Sequence, residues 1–299
     1  MSVRSQVRTP SEWQLARERH QELMQPFASE RVTRMSVSTK HPVRDFLFDY
    51  YSQRPAKLMR WSPGADVVLL GATPRDLEWQ QFHETTVDGI PAMVLRATDF
   101  PPHRVEYLRW AEDYLRRTGT RLPLTSCFGL HEWAMLYRDP EVRHPYVPLR
   151  LSLAEIAEVV DAELLQCTHY DAFRFFTNSA APKNLHQLER RRTNEFDQPA
   201  CIHVNMDLYR FAYKISPWID STLVGEAFRH AWRCREIDMR ASPYDLSSYG
   251  YEPIPIETPP GKAQYVQLQR ELMNAGQPLR QKILAEYEYL LSRTANATS

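Results

Sequence analysis

Residues 201–246 read CIHVNMDLYRFAYKI, then SPWIDST, then LVGEAFRHAWRCREIDMRASPYDL. Apolar residues recur at helical spacing on both sides of the Pro217 turn, so the stretch predicts two helices meeting there. His203 and Asp207 are four residues apart in the first helix. His230, Cys234 and Asp238 repeat that step in the second, and such a step stacks side chains on one helical face. Two readings are open: a polar site buried between the helices, or two salt-bridged outer faces.

Working outward, most of the chain carries the same helical signal. Thr9-Pro10-Ser11-Glu12 marks a helix start, with Ser11 as cap, and the apolar positions Trp13, Leu23, Met24 and Phe27 continue it to about Val37. His41-Pro42 opens a second helix through FLFDYY, ended at Pro63-Gly64. Residues 65–100 are the least helical, and Gly89 and Pro91 break them into a hairpin, a small β insert or a long loop. A strong helix follows Pro101-Pro102 and closes at Gly119; SCFGLHEWAMLYRD is a short apolar one; Ser152 caps another. THYDAFRFFT is helical from Thr168. A long polar connection then holds Arg190, Arg191 and Arg192, the most basic run. After a Pro-rich arm, a last helix runs from about Lys262 to Ser292, interrupted near Gly276–Pro278. The expectation is a mainly α, compact multi-helix domain over residues 1–299. At most a small β hairpin or extended insert lies near 65–100, with loose tails at 1–8 and 293–299.

Composition narrows the function classes. The 299 residues hold 37 basic and 37 acidic side chains, so no global field draws in nucleic acid. Cys127, Cys167, Cys201 and Cys234 form no CxxC pair, which leaves zinc ribbons and thioredoxin-type motifs without support. Without an apolar leader or a membrane-length apolar run, the chain reads as cytoplasmic with free thiols, with no membrane association and no obligate protein partner. GxGxxG, P-loop and GxSxG patterns are absent, so no organic cofactor is implied. A metal ion is open, because His and carboxylate ligands on facing helices suit iron, manganese or zinc; the candidates are His41, Asp45, His203 and Asp207. HExxH is not among the patterns, since Trp133-Ala134-Met135 follow His131-Glu132.

Four acid–histidine pairs lie in apolar surroundings: His41 with Asp45, His131 with Glu132, His169 with Asp171, and His203 with Asp207. Ionisable groups so placed are partly buried and need partners. They either converge on a pocket between helices or cap helices and satisfy core hydrogen bonds. The candidate catalytic residues are Asp207, Asp238, His203, His131, Glu132, Asp171 and His169. Trp133, Tyr209, Arg240, Tyr244, His41 and Asp45 are the candidate substrate contacts.

Several segments together resemble a bacterial family labelled 3-methyladenine DNA glycosylase: HPVRDFLFDYYSQRPAKLMRWSPG, CFGLHEWAMLYR, THYDAFRFF, CIHVNMDLYRFAYKISP and EIDMRASPYDLSSYGYEPIPIET. The resemblance spans His41 to about Arg270. It implies a DNA-repair hydrolase of N-glycosidic bonds, in which Asp207 or Asp238 stabilises an oxocarbenium-like charge or activates water. His203 and His131 then polarise water or the leaving base. The chain lacks the L-P-G-[IV]-G hairpin that grips DNA in helix-hairpin-helix glycosylases, so a nucleoside or nucleotide stands beside DNA as substrate. A metal-dependent oxygenase or hydrolase and a non-catalytic binding protein are the alternatives.

Overall fold

A computed structural model describes residues 6–139, 141 and 144–294. The chain runs through β1 (Gln6–Arg8), α1 (Pro10–Ser36), α2 (Phe46–Tyr50), α3 (Pro55–Leu58), β2 (Val67–Leu70), β3 (His83–Val87) and β4 (Ile90–Val94). It continues through α4 (Val105–Thr120), α5 (Leu130–Ala134), α6 (Leu153–Ala162), α7 (Tyr170–Phe173), α8 (Thr193–Phe196), α9 (Ile202–Lys214), α10 (Ser221–Arg240) and α11 (Pro259–Thr294). The architecture is mainly α with one small sheet, as the periodicity predicts.

The helix pair of residues 201–246 is the centre. α9 is buried from Ile202 to Tyr209 and again at Phe211 and Ala212; a helix covered on nearly every side lies inside a core. It packs against α10 and α11, while α4 packs on α11 and α1 on α10. Asp220 starts α10 by accepting the Thr222 N–H at 2.8 Å. Of the two readings of the charged spacing, the buried one describes His203, Asp207 and Asp238.

The sheet has the order β1-β2-β4-β3, with β1 parallel to β2 and the other pairs antiparallel. β3 and β4 form a hairpin about Asp88-Gly89, whose φ values of 51° and 79° are those of a primed turn. Asp-Gly supplies that geometry with little strain.

Some local expectations need correcting. Residues 6–8, expected in a loose tail, form β1, because an extended chain can satisfy its backbone on the open edge of β2; residues 1–5 and 295–299 lie outside the described residues. Thr9 rather than Ser11 caps α1, with Glu12 accepting the Thr9 N–H at 2.8 Å. Gly119 lies within α4 instead of ending it, leaving room for the Arg280 side chain. α11 runs without a break through Gly276 and Pro278. Its buried stripe of Tyr265, Leu272, Leu279, Ile283, Tyr287 and Leu290 gives packing that outweighs one lost hydrogen bond. The helices expected at His41 and Thr168 shrink to α2 and α7. At the first, His41 Nδ1 accepts the Val43 and Arg44 N–H groups and holds a turn. No helix among the described residues is long and apolar enough to cross a membrane.

Candidate functional site

α5 is aimed into the core by its start. Phe128 and Gly129 both have positive φ, 47° and 76°, and the Trp133 indole donates to the Ala241 carbonyl at 2.9 Å. That link pins α5 to the end of α10 and brings His131 onto Asp238, with His131 Nε2 2.7 Å from Asp238 Oδ1. Arg235, one turn earlier on α10, donates to Asp238 Oδ2 at 2.7 Å and to Glu132 Oε1 at 2.8 Å. Its guanidinium lies 3.9 Å from the centre of the Phe46 ring. All four charged side chains are buried, so each relies on the others for the solvation that water would supply.

His203 projects from α9 into this cluster. Its ring meets His131 edge-on at 4.5 Å and stacks on His169 at 5.3 Å and 10°. The row of three imidazoles ends in a second buried network. His169 Nδ1 lies 3.1 Å from Asp197 Oδ1, whose other oxygen accepts the Tyr114 hydroxyl at 2.6 Å. Asp207 accepts the Tyr51 hydroxyl at 2.8 Å. Arg210 Nη2 is 2.6 Å from Asp207 Oδ2 in charge contact, although not aligned as a hydrogen bond. His169 Nε2 is 3.9 Å from that same oxygen.

Electrostatics separates the three rings. Burial opposes charge on His131, but Asp238 and Cys127 together outweigh it and hold its pKa well above the usual value. Burial likewise opposes charge on His169, and Asp197, Asp207 and Asp171 raise it. His203 is pushed far down, first by burial and then by the charge of His131, so it is a neutral imidazole. Burial pushes the Asp238 carboxyl up, yet His131 and Arg235 overcome that and hold it below the carboxylate range. Asp207 goes the other way, because burial outweighs Arg210, His169 and Tyr51.

A cavity of about 280 Å³ opens above the first cluster. Glu132, His203 and Arg235 reach its wall, and Phe46, Tyr50 and Phe175 supply aromatic sides. His131, His203 and Asp238 present one ligand atom each, all within 4.8 Å of one another.

The candidate residues divide accordingly. His131, His203, Asp238 and Glu132 come together. Asp207 and His169 belong to the second network, away from the cavity wall. Asp171 is on the wall, paired with Arg174 at 3.2 Å and Arg210 at 3.3 Å. His41 and Asp45 also line the cavity, but Asp45 is held by Arg31 at 2.9 Å and Arg34 at 2.7 Å. Burial, then Arg44 and Arg34, lower His41 to about 4. The four metal candidates therefore do not share a centre: His203 alone of them joins the converging set, where the other ligands are His131 and Asp238. Trp133 and Tyr209 are packed in the core. Tyr244 stands behind His144 at a ring distance of 5.3 Å, and Arg240 donates to the Glu252 carbonyl at 2.9 Å. Sequence reasoning missed Arg235. Its position three residues before Asp238, facing the same way, is the signal that finds it.

No family model matches the chain, and no solved structure matches it. A stretch of 137 residues is 32% identical to the glycine dehydrogenase (decarboxylating) of Stenotrophomonas maltophilia, covering 39% of this chain and 14% of that enzyme. The chain thus spans a small fraction of that relative, and no family is established. These findings overturn the expected membership of the 3-methyladenine DNA glycosylase family.

Proposed function

We propose that the protein is a metal-dependent enzyme, a hydrolase or oxygenase, acting on a small molecule with a flat or apolar part. His131, His203 and Asp238 would hold the ion. The observation that carries this reading is the convergence of two imidazoles and one carboxylate beneath an aromatic cavity. Two histidines and one carboxylate with remaining positions open is a donor set suited to iron or zinc. When bound, such an ion polarises a substrate oxygen or activates water or dioxygen.

The chain's own residues fit that role. Metal bonds of about 2.1 Å put the ligand atoms of a tetrahedral ion roughly 3.4 Å apart, a spacing the set within 4.8 Å can adopt once an ion replaces the proton that His131 and Asp238 share at 2.7 Å. Arg235 occupies Asp238 Oδ2 and leaves Oδ1 toward the two imidazoles, the outer-partner arrangement that orients a ligating carboxylate. His203, neutral and on the cavity wall, offers a lone pair there. Phe46, Tyr50 and Phe175 exclude water and accept a flat ligand. Hydrolysis of an N-glycosidic bond draws less from this geometry, since Asp207, one of its two candidate carboxylates, lies in the second network away from the cavity wall. Four free cysteines suit a reducing compartment, and we place the protein in the cytoplasm.

The test is elemental analysis of protein purified without chelators and then offered iron(II), zinc, manganese and cobalt. About one ion per chain is expected, lost in His203→Ala and kept in Asp207→Ala, with circular dichroism confirming both folds. Iron would select the oxygenase and zinc the hydrolase. A folded protein that takes up none of the four ions would overturn the reading and leave a binding protein.

A further inference from the structure

A second cavity, of about 420 Å³, lies on the far side of Asp171, whose side chain belongs to the walls of both. Three cations line it, Arg190, Arg210 and Lys214, against the single carboxylate of Asp171. Asp171 and Asp207 offset Arg210 and Arg174, so Arg190 and Lys214 leave two positive charges on the wall. Arg210 is aimed by Asp171 at 3.3 Å and, from behind the wall, by Asp207 at 2.6 Å. Neither Arg190 nor Lys214 has a carboxylate partner among the described residues. Partial burial, then Arg104 and Arg210, hold the Lys214 ammonium below its usual pKa, so like charge is crowded there. The Thr193 hydroxyl donates to the Arg190 carbonyl at 2.7 Å and closes the turn that carries this arginine to the cavity.

The remaining wall is aromatic. Trp110 stacks on Tyr114 at 5.5 Å and 24°, yet stays 41% exposed, and Tyr107 and Tyr170 stand beside it in the same cavity. Trp110 also meets Tyr107 and Phe211 at 6.0 and 6.1 Å, and an indole held among rings yet still 41% exposed is a stacking platform for a planar group.

We propose that this second cavity binds a phosphate monoester carrying a planar ring, of the mononucleotide class, with the phosphate between Arg190, Arg210 and Lys214 and the ring on Trp110. A phosphate monoester carries close to two negative charges at neutral pH, which matches the excess on the wall. Arginine forks and a lysine point charge are the groups suited to phosphate oxygens. The site does not depend on the metal reading, because none of its lining residues is among the three ligands.

Isothermal titration with AMP, adenosine and inorganic phosphate tests it. AMP is expected to bind saturably and more tightly than either fragment. Arg190→Ala with Lys214→Ala should weaken AMP at least tenfold. Trp110→Ala should weaken AMP by about tenfold, the scale of one base–aromatic stack, and leave inorganic phosphate unchanged. Arg190 and Lys214 are exposed and, among the described residues, make no side-chain ion pair, so their double variant should keep its melting temperature. Trp110→Ala also gives up ring contacts with Tyr107, Tyr114 and Phe211 and is compared by the ratio of AMP to phosphate affinity. Absence of saturable AMP binding, or AMP binding indifferent to the Arg190 and Lys214 changes, would overturn the site. Equal affinity for AMP and inorganic phosphate would overturn the ring platform.

Discussion

Arg235→Met removes the cation that holds the buried cluster together while keeping a side chain of similar reach. Arg235 is 2% exposed and donates to both Glu132 and Asp238. Asp238 keeps His131 at 2.7 Å after the change. Glu132, itself only 4% exposed, loses its ion-pair partner. Breaking a buried pair from one side costs about 3–5 kcal/mol, a large part of the roughly 5–15 kcal/mol that holds a domain folded. With about 2.1 cal/mol/K per residue over 299 residues, the unfolding entropy is about 0.6 kcal/mol/K, so ~4 kcal/mol lowers Tm by roughly 6 °C. Thermal unfolding followed by circular dichroism at pH 7.5, with chelator present, should show Arg235→Met about 6 °C below the wild type. Adding Glu132→Gln should recover most of the loss, because the stranded charge is gone. A Tm within a degree of the wild type, or no recovery in the double variant, would refute the reasoning.

Other consequences are more local. Asp45→Ala should cost about 2–3 kcal/mol in urea unfolding, since the carboxylate accepts the His41 N–H at 2.9 Å and pairs with Arg31 and Arg34; its metal content should not change. Gly276→Ala places a Cβ 2.1 Å from Asn205 Oδ1, and Asn205 is itself fixed by hydrogen bonds to the Pro199 and Cys201 carbonyls at 2.8 and 2.9 Å. A loss of about 1–3 kcal/mol is expected, and a Tm within a degree of wild type would show that α9 and α11 are less close. His230 is lowered to about 4, first by burial and then by Arg280 and Arg233. A base with a folded pKa below its unfolded value of about 6.5 costs stability as pH falls from there toward 4. His230→Gln should therefore flatten the Tm curve in that window, and an unaltered curve would contradict the assignment.

What the sequence made legible was burial, and what it hid was partnership. His131, His203 and Asp238 stood out because each interrupts an apolar helical pattern, and all three are buried. The i to i+4 spacing left a buried site between helices and salt-bridged outer faces both open, and it named none of the partners from other elements. His131 on α5 reaches Asp238 on α10 across 107 positions, and Tyr51 reaches Asp207 across 156. His230 shares the spacing of Asp238 but turns toward Asn205 on α9, with the Cys234 thiol against its ring, and neither lines the cavity. Which face of a helix meets which neighbour is set by packing of the whole core, and local periodicity carries no record of it. The same reason hid β1, whose pairing with β2 spans some sixty positions, and the uninterrupted α11, whose proline is overruled by contacts with distant residues.

The two buried networks differ in what they leave available for chemistry. In the second, Asp197 and Asp207 are consumed by Tyr114, Tyr51, His169 and Arg210, and neither carboxylate reaches a cavity wall. That is the pattern of groups fixed to make a core specific. In the first, His203 makes ring contacts with its neighbours but, among the described residues, no hydrogen bond, and its ring reaches the wall of an aromatic cavity. Its nitrogens are not sealed from the cavity, and burial and the charge of His131 depress its protonation. On the proposed reading such a group serves what enters the cavity, so its removal should change ligand or metal uptake more than it changes the fold.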